Sequence, residues 1–155
     1  MNKVLIREGI GRGGIKNIGD FIQSIAQKQF WEGNDNGVID IEFLKDIRTD
    51  IPINAIMNGW FMWNPSSFPP PINVNPLYIS FHLTPSKEKD FFTAETIEHL
   101  KKYEPIGARD CNTMRMMKAH GIDSYFSNCL TLTLDKSFIS SVRIKAKSRS
   151  YGGCR

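Results

Sequence analysis

Four polar side chains are of kinds that move protons or hold anions, and each stands where the pattern of the chain changes. Asp20 opens an apolar-periodic stretch, following Asn17-Ile18-Gly19; Asn58 ends an apolar run at Asn58-Gly59; His82 closes Leu77-Tyr78-Ile79-Ser80-Phe81-His82; Arg109 directly follows Ile106-Gly107-Ala108. A carboxylate or an imidazole can take a proton from a hydroxyl, and a carboxamide can anchor one. A guanidinium makes paired, charge-assisted bonds to a carboxylate or a phosphate. Each residue also has a plainer reading. Asp20 is a favoured helix cap, His82 fits a half-buried, hydrogen-bonded histidine, and Arg109 fits a scaffold ion pair with Asp20 or Asp110.

The stretch AIMNGWFMWNPSSFPPP, residues 55–71, ties these positions together. An apolar strand over 53–57 breaks at Asn58-Gly59 into a loop carrying Trp60, Phe61, Trp63 and Phe68, closed by Pro69-Pro70-Pro71. Loops normally lie at the surface, so four large rings in one loop need a cover, and a ligand is one such cover. In open α/β sheets ligands bind beyond the carboxyl ends of strands, which is where this loop would fall. The alternative is that Trp60 and Phe61 fold back as core while the prolines stiffen a connection.

The elements that would position these residues follow from periodicity. Residues 3–7 read as a buried first strand. Gly9, Gly11 and Gly14 match G-x-G-x-x-G, but Ile15 to Gly19 intervene before any helical pattern, so the phosphate-cradling geometry of that motif is not expected. Residues 17–30 place Ile18, Phe21, Ile22, Ile25, Ala26 and Phe30 on one helical face. Residues 31–36 are a turn, 38–41 a strand, 42–47 a helical turn and 77–83 a strand of β-forming residues. Thr93 caps a helix running to Tyr103, ended by Pro105, and Asp110 caps another that carries Met114 and Met117 inward and stops at Gly121. Residues 129–134, CLTLTL, alternate like a final strand. Strand, helix and strand recur with short links, which predicts an α/β fold: a Rossmann-like parallel sheet with helices on both faces.

The chain has 155 residues, 41% hydrophobic and 23% charged, the size and balance of one globular domain. No apolar run reaches the roughly 20 residues of a membrane helix, and the first residues lack the apolar centre of a signal peptide, so a cytoplasmic location without a transmembrane segment is expected. Cys111, Cys129 and Cys154 form no C-x-x-C pair, and His82, His99 and His120 are scattered, so neither a disulfide framework nor a metal site is expected. Of the formal net charge of +4, the segment from Lys136 onward holds six cations and no acid, leaving 14 basic against 16 acidic groups before it. Basicity confined to a tail is not the footprint of a nucleic-acid-binding domain, and no nucleic-acid partner is expected.

NIGDFIQSIAQKQF, the IMNGWFMW loop, the LYISFH strand and the block PIGARDCNTMRMMKAHGIDSYFSNCLTLTL together resemble, in order, the polysaccharide pyruvyl transferase family. The resemblance spans nearly all of residues 17–134 and implies the first, acceptor-holding lobe of a two-lobed transferase of the GT-B type. Such enzymes move the pyruvyl group of phosphoenolpyruvate onto a sugar of a cell-surface or exopolysaccharide. The resemblance implies no cofactor beyond phosphoenolpyruvate as donor substrate, and a glycan acceptor as partner. It further implies that Asn17 and Asp20 bond the acceptor or the transferring group, with Asp20 a possible base. Asn58, Trp60 and Phe61 would hold the sugar, His82 would act at the strand end, and Arg109 would pair with carboxylate or phosphate. Where family members often carry histidine after NGWFM, this chain has Trp63, which weakens base chemistry at that point.

The resemblance ends near residue 136. Residues 1–136 are expected to form the lobe, and residues 137–155 a basic tail of non-family sequence, disordered or loosely attached. On this reading a second lobe or a homo-oligomer completes the site, and the chain alone turns over no phosphoenolpyruvate. A non-catalytic carbohydrate-binding fragment is the alternative.

Overall fold

A computed structural model of the chain describes residues 2–7, 18–30 and 37–135. Six strands run through them: β1 (Asn2–Arg7), β2 (Val38–Asp40), β3 (Ile53–Trp60), β4 (Val74–His82), β5 (Ile106–Ala108) and β6 (Ser124–Phe126). They form one sheet in the order β2-β1-β3-β4-β5-β6, and every neighbouring pair is parallel. Helix α1 (Ile18–Lys28) lies between β1 and β2, α2 (Glu88–Phe91) and α3 (Ala94–Lys101) between β4 and β5, and α4 (Cys111–Ala119) between β5 and β6.

From β1 the chain steps one way to β2, then returns past β1 and steps the other way through β3 to β6. Because parallel crossovers are right-handed, this reversal sends α1 to one face of the sheet and the later helices to the opposite face. The side chains agree. On β3, Ile53, Ala55 and Met57 enter the main core with Tyr78 of β4, Phe91 of α2, Leu100 of α3 and Met117 of α4. Ile56, facing the opposite way, packs with Ala26 of α1 and Leu130 in a smaller cluster. The expected α/β fold with helices on both faces is what forms.

The local stops are those the residue types dictate. Thr93 caps α3 by accepting a bond from the Thr96 amide, and Asp110 caps α4 by accepting one from the Thr113 amide at 2.9 Å. Gly121 ends α4 at φ +71°, a conformation that glycine adopts without steric cost.

Three expectations are corrected. Residues 129–134 do not form a strand. The place beside β5 belongs to Ser124–Phe126, and Leu130–Thr133 winds into a 3-10 turn that buries Leu130 while Leu132 stays 75% exposed. In α4 the inward methionines are Met116 and Met117, with Met114 only half-buried. Phe61 and Phe68 are core: Phe61 stacks flat on Phe81 at a centroid distance of 4.5 Å, and Phe68 lies 4.9 Å from Phe91. Their burial removes a large apolar area from water, and a ring so enclosed offers no face to a ligand. Asn17, Gly9, Gly11, Gly14, the turn over 31–36 and the tail over 137–155 lie outside the described residues.

Candidate functional site

The ends of β3, β4 and β5 bring together the residues that the sequence singled out. In the β3–β4 register Trp60 stands opposite His82, and the pairing of Phe81 with Ala108 sets His82 beside the turn that carries Arg109 and Asp110. The Arg109 amide donates to the Phe81 carbonyl at 2.8 Å, fixing that turn to the end of β4.

His82 and Asp110 form the closest polar pair of this edge, Nδ1 to Oδ2 at 2.6 Å. Burial, and next the nearby Arg109 charge, push the His82 pKa below its ordinary value, outweighing the opposing pull of Asp110. The imidazole is therefore neutral at pH 7, its proton on Nδ1 is donated to the carboxylate, and Nε2 is left with a free lone pair. Burial raises the Asp110 carboxyl, but the Thr113 amide, the His82 ring and the Thr113 hydroxyl together hold it below its usual range. Asp110 is thus both the cap of α4 and the group that orients His82. Thr113 supports it from beneath: its hydroxyl, fully buried, lies 3.0 Å from Asp110 Oδ2 and accepts from the Leu83 amide at 3.0 Å.

Arg109 is half-buried and, among the described residues, forms no ion pair, with Asp20 or with Asp110. Of the two readings of this arginine, the scaffold ion pair is the one the geometry does not show. Its charge acts on both His82 and Cys129. Burial works to raise the Cys129 thiol, but bonds from Thr131 and Gln23, together with the Arg109 charge, bring it below its ordinary value. Gln23 Nε2 donates to Cys129 Sγ at 3.2 Å, and Asn58 Nδ2 donates to Gln23 Oε1 at 3.0 Å, so a carboxamide chain ties β3 to α1 and to the turn after β6. Asn58 is 1% exposed, and its role is therefore to position Gln23 rather than to meet a ligand directly.

Asp20 lies in the first turn of α1, where an acid is favoured by the helix dipole; α1 begins at Ile18, so the expected cap role does not hold. It sits one turn from Gln23 on the same side of α1. Of the loop rings, Trp60 is half-buried and meets Trp63 edge-on at 4.7 Å, and Trp63 is 59% exposed. Thr113, Gln23 and Cys129 were not singled out from sequence: the threonine and glutamine read as ordinary helix residues, and the cysteine as a buried thiol.

Backbone strain gathers at the same edge. Ser80, two residues before His82, has φ +54°, and Asn128 has φ +61°; the Ser80 hydroxyl donates to the Asn128 carbonyl at 2.7 Å and its amide to Ser127 Oγ at 3.0 Å. Non-glycine residues hold this conformation only where neighbours over-determine it, and such positions concentrate at functional sites. A cleft of about 440 Å³ lies elsewhere, lined by Pro69, Pro70, Pro71, His99 and Tyr103 among others. Its lysines are already occupied, Lys45 on Glu95 at 2.9 Å and Lys102 on Glu98 at 3.0 Å. Among the described residues no group of three or more His, Cys, Asp and Glu side chains is placed to hold a metal, and no helix is long and apolar enough to cross a membrane.

Fold and site define a parallel α/β protein with, at its strand ends, an oriented neutral imidazole and a guanidinium that forms no ion pair among the described residues. No protein-family model, curated protein or solved structure matches the chain.

Proposed function

We propose that the chain is the acceptor-holding lobe of a transferase that moves pyruvyl from phosphoenolpyruvate onto a sugar hydroxyl, as the likeness of its motifs to polysaccharide pyruvyl transferases implies. The observation that carries the reading is the His82–Asp110 pair at the end of β4, with the Arg109 charge beside it and in no ion pair among the described residues. His82 Nε2 takes the proton of the acceptor hydroxyl, Asp110 stabilises the imidazolium that forms, and Arg109 holds a carboxylate or phosphate oxygen of the donor. Protonation of the enol methylene and further neutralisation of phosphate need groups beyond those gathered here. The lobe by itself binds acceptor and does not release phosphate from phosphoenolpyruvate. In the GT-B arrangement that the reading implies, a second lobe faces this edge.

The test is affinity electrophoresis against a panel of acidic and neutral exopolysaccharides, paired with a phosphate-release assay. Retention by at least one glycan, weakened at least tenfold in Trp63→Ala, and no phosphate release is the expected result. Absence of retention across the panel contradicts acceptor binding, and phosphate release by the chain alone contradicts the division of labour. A non-catalytic carbohydrate-binding role is favoured by one observation, the exposed Trp63 ring beside Trp60. It predicts the same retention but no effect of phosphoenolpyruvate on the His82 resonances.

A further inference from the structure

Helix α1 is turned over relative to its own apolar pattern. Ile18, Phe21, Ile22 and Ile25 recur at i, i+3, i+4 and i+7, the spacing of a stripe that ordinarily faces a core. The residues that α1 buries are instead Gln23, Ala26 and Gln27. Gln23 is held inward by its side-chain bonds to Asn58 of β3 and to Cys129 after β6. Ile18 is left 75% and Phe21 40% exposed, with Ile22 and Ile25 half-buried. Beside them the turn Leu130–Thr133, tied to α1 by the bond from Gln29 Nε2 to Thr133 Oγ1 at 2.8 Å, leaves Leu132 equally exposed. Helix and turn together make an apolar ridge along one face of the sheet.

Next to the ridge the same face steps down to the sheet itself. In the β3–β4 register Ile56 stands beside Leu77; Ile56 is sealed under α1 and Leu130, whereas Leu77, on a central strand, is 58% exposed. On β6 the Ser124 hydroxyl reaches the Met114 carbonyl of α4, so Tyr125, next along the strand, faces the α1 side, where it is 45% exposed. A parallel sheet is ordinarily buried on both faces. The step from β4 to β6 is roughly 10 Å wide, and a helix with its side chains is roughly 10–12 Å across. Ridge and step lie on one face of one chain, so a two-fold axis between two copies seats each ridge in the other's step. Ile18, Phe21, Leu132, Leu77 and Tyr125 together present roughly 500–600 Å², the upper limit of the apolar patch on a typical lone domain. A stable dimer buries about 800 Å² per partner, and Ile22, Ile25 and the Asn54–Asn75 pair at the margin make up the difference.

We propose that this face is the interface of a symmetric homodimer, in which the ridge of Ile18, Phe21 and Leu132 on each copy sits on Leu77 and Tyr125 of the other. The occupant is a second copy of this chain, because both complementary halves of the contact are built into the same surface. The pairing is independent of the reaction proposed above.

Sedimentation equilibrium of the full chain tests this. At roughly 100 μM, where a complex of micromolar affinity is almost fully formed, the expected mass is twice the 17.7 kDa of one chain. Ile18→Lys on the ridge and Leu77→Lys on the step are each expected to weaken the dimer at least tenfold, since each removes one half of the same contact. Both side chains are exposed on the single chain, so the far-UV circular dichroism stays unchanged. Where a lysine alters it, the milder Ile18→Ser and Leu77→Thr carry the same comparison. A parent chain that is monomeric at that concentration overturns the proposal. So does a dimer that Ile18→Lys breaks and Leu77→Lys leaves intact, because ridge would then meet ridge, and so does an assembly that survives both substitutions.

Discussion

Replacing Asp110 separates its two roles, because asparagine keeps one and alanine keeps neither. As the cap of α4, Asp110 accepts from the Thr113 amide at 2.9 Å; as the orienter of His82, it accepts from Nδ1 at 2.6 Å. Loss of an aspartate cap to alanine costs about 1 kcal/mol. The bonds to His82 and to the Thr113 hydroxyl add about 0.5–1 kcal/mol once discounted for a carboxylate whose side chain is 36% exposed. Asp110→Ala is thus expected to lower unfolding free energy by about 1.5–2 kcal/mol in urea. Asn caps as well as Asp, so Asp110→Asn loses only about 0.5 kcal/mol. In both variants the His82 pKa, followed by proton NMR of the imidazole, falls further, because Asp110 is the group that raises it against burial and Arg109. A His82 pKa that rises in Asp110→Asn, or a cost for Asp110→Ala no larger than for Asp110→Asn, refutes the double role.

Further outcomes follow from the packing and the titrating groups. Phe81→Ala empties a fully buried ring site between Phe61 and Phe91 and is expected to cost about 3–5 kcal/mol in denaturant unfolding, whereas the exposed Trp63→Ala costs less than about 0.5 kcal/mol. Gly107→Ala places a methyl 3.1 Å from the Ile79 Cα and 3.1 Å from Ser127 Cβ and Oγ; since the first neighbour is backbone, a loss of about 1–3 kcal/mol is expected. Burial, aided by the Lys102 charge, lowers His99 to about 4, so its unfolded form binds the proton first as pH falls. The stability that His99 contributes is complete above pH 6.5 and is lost as pH falls from there to about 4. After a discount for its partial exposure, the loss is about 2 kcal/mol. His99→Gln flattens urea stability over that interval, and an unchanged profile contradicts the assignment.

The elements whose ends carry a chemical signal were readable from the sequence, and those whose faces depend on distant partners were not. Thr93, Asp110 and Gly121 act through bonds within their own turn, so their roles follow from local sequence alone. The alternation CLTLTL does not reveal that the slot beside β5 is already filled by Ser124–Phe126, and so short a stretch does not separate a strand from a 3-10 turn. The aromatic loop shows the same limit, since Phe61 and Trp63 are two residues apart and only the position of Phe81 decides which ring turns inward. His82 and Arg109 stand at the strand ends that the sequence marked, whereas β3 runs on through Asn58 to Trp60 and buries the asparagine within it; the bond between His82 and Asp110 spans 28 residues and depends on the β4–β5 register. Cys129 carried no signal because its thiol is lowered first by bonds from Thr131, which depend on the fold of the turn after β6, and then by Gln23 and Arg109, which only the folded chain brings to it.

The most direct measurement is nitrogen-15 NMR of the three histidines, His82, His99 and His120, with and without phosphoenolpyruvate. The account predicts that His82 is a neutral Nδ1–H tautomer at pH 7, and that its resonances move on addition of the donor while those of His99 and His120 do not. A protonated His82 at that pH, or a donor that leaves His82 unmoved even at millimolar concentration, contradicts it.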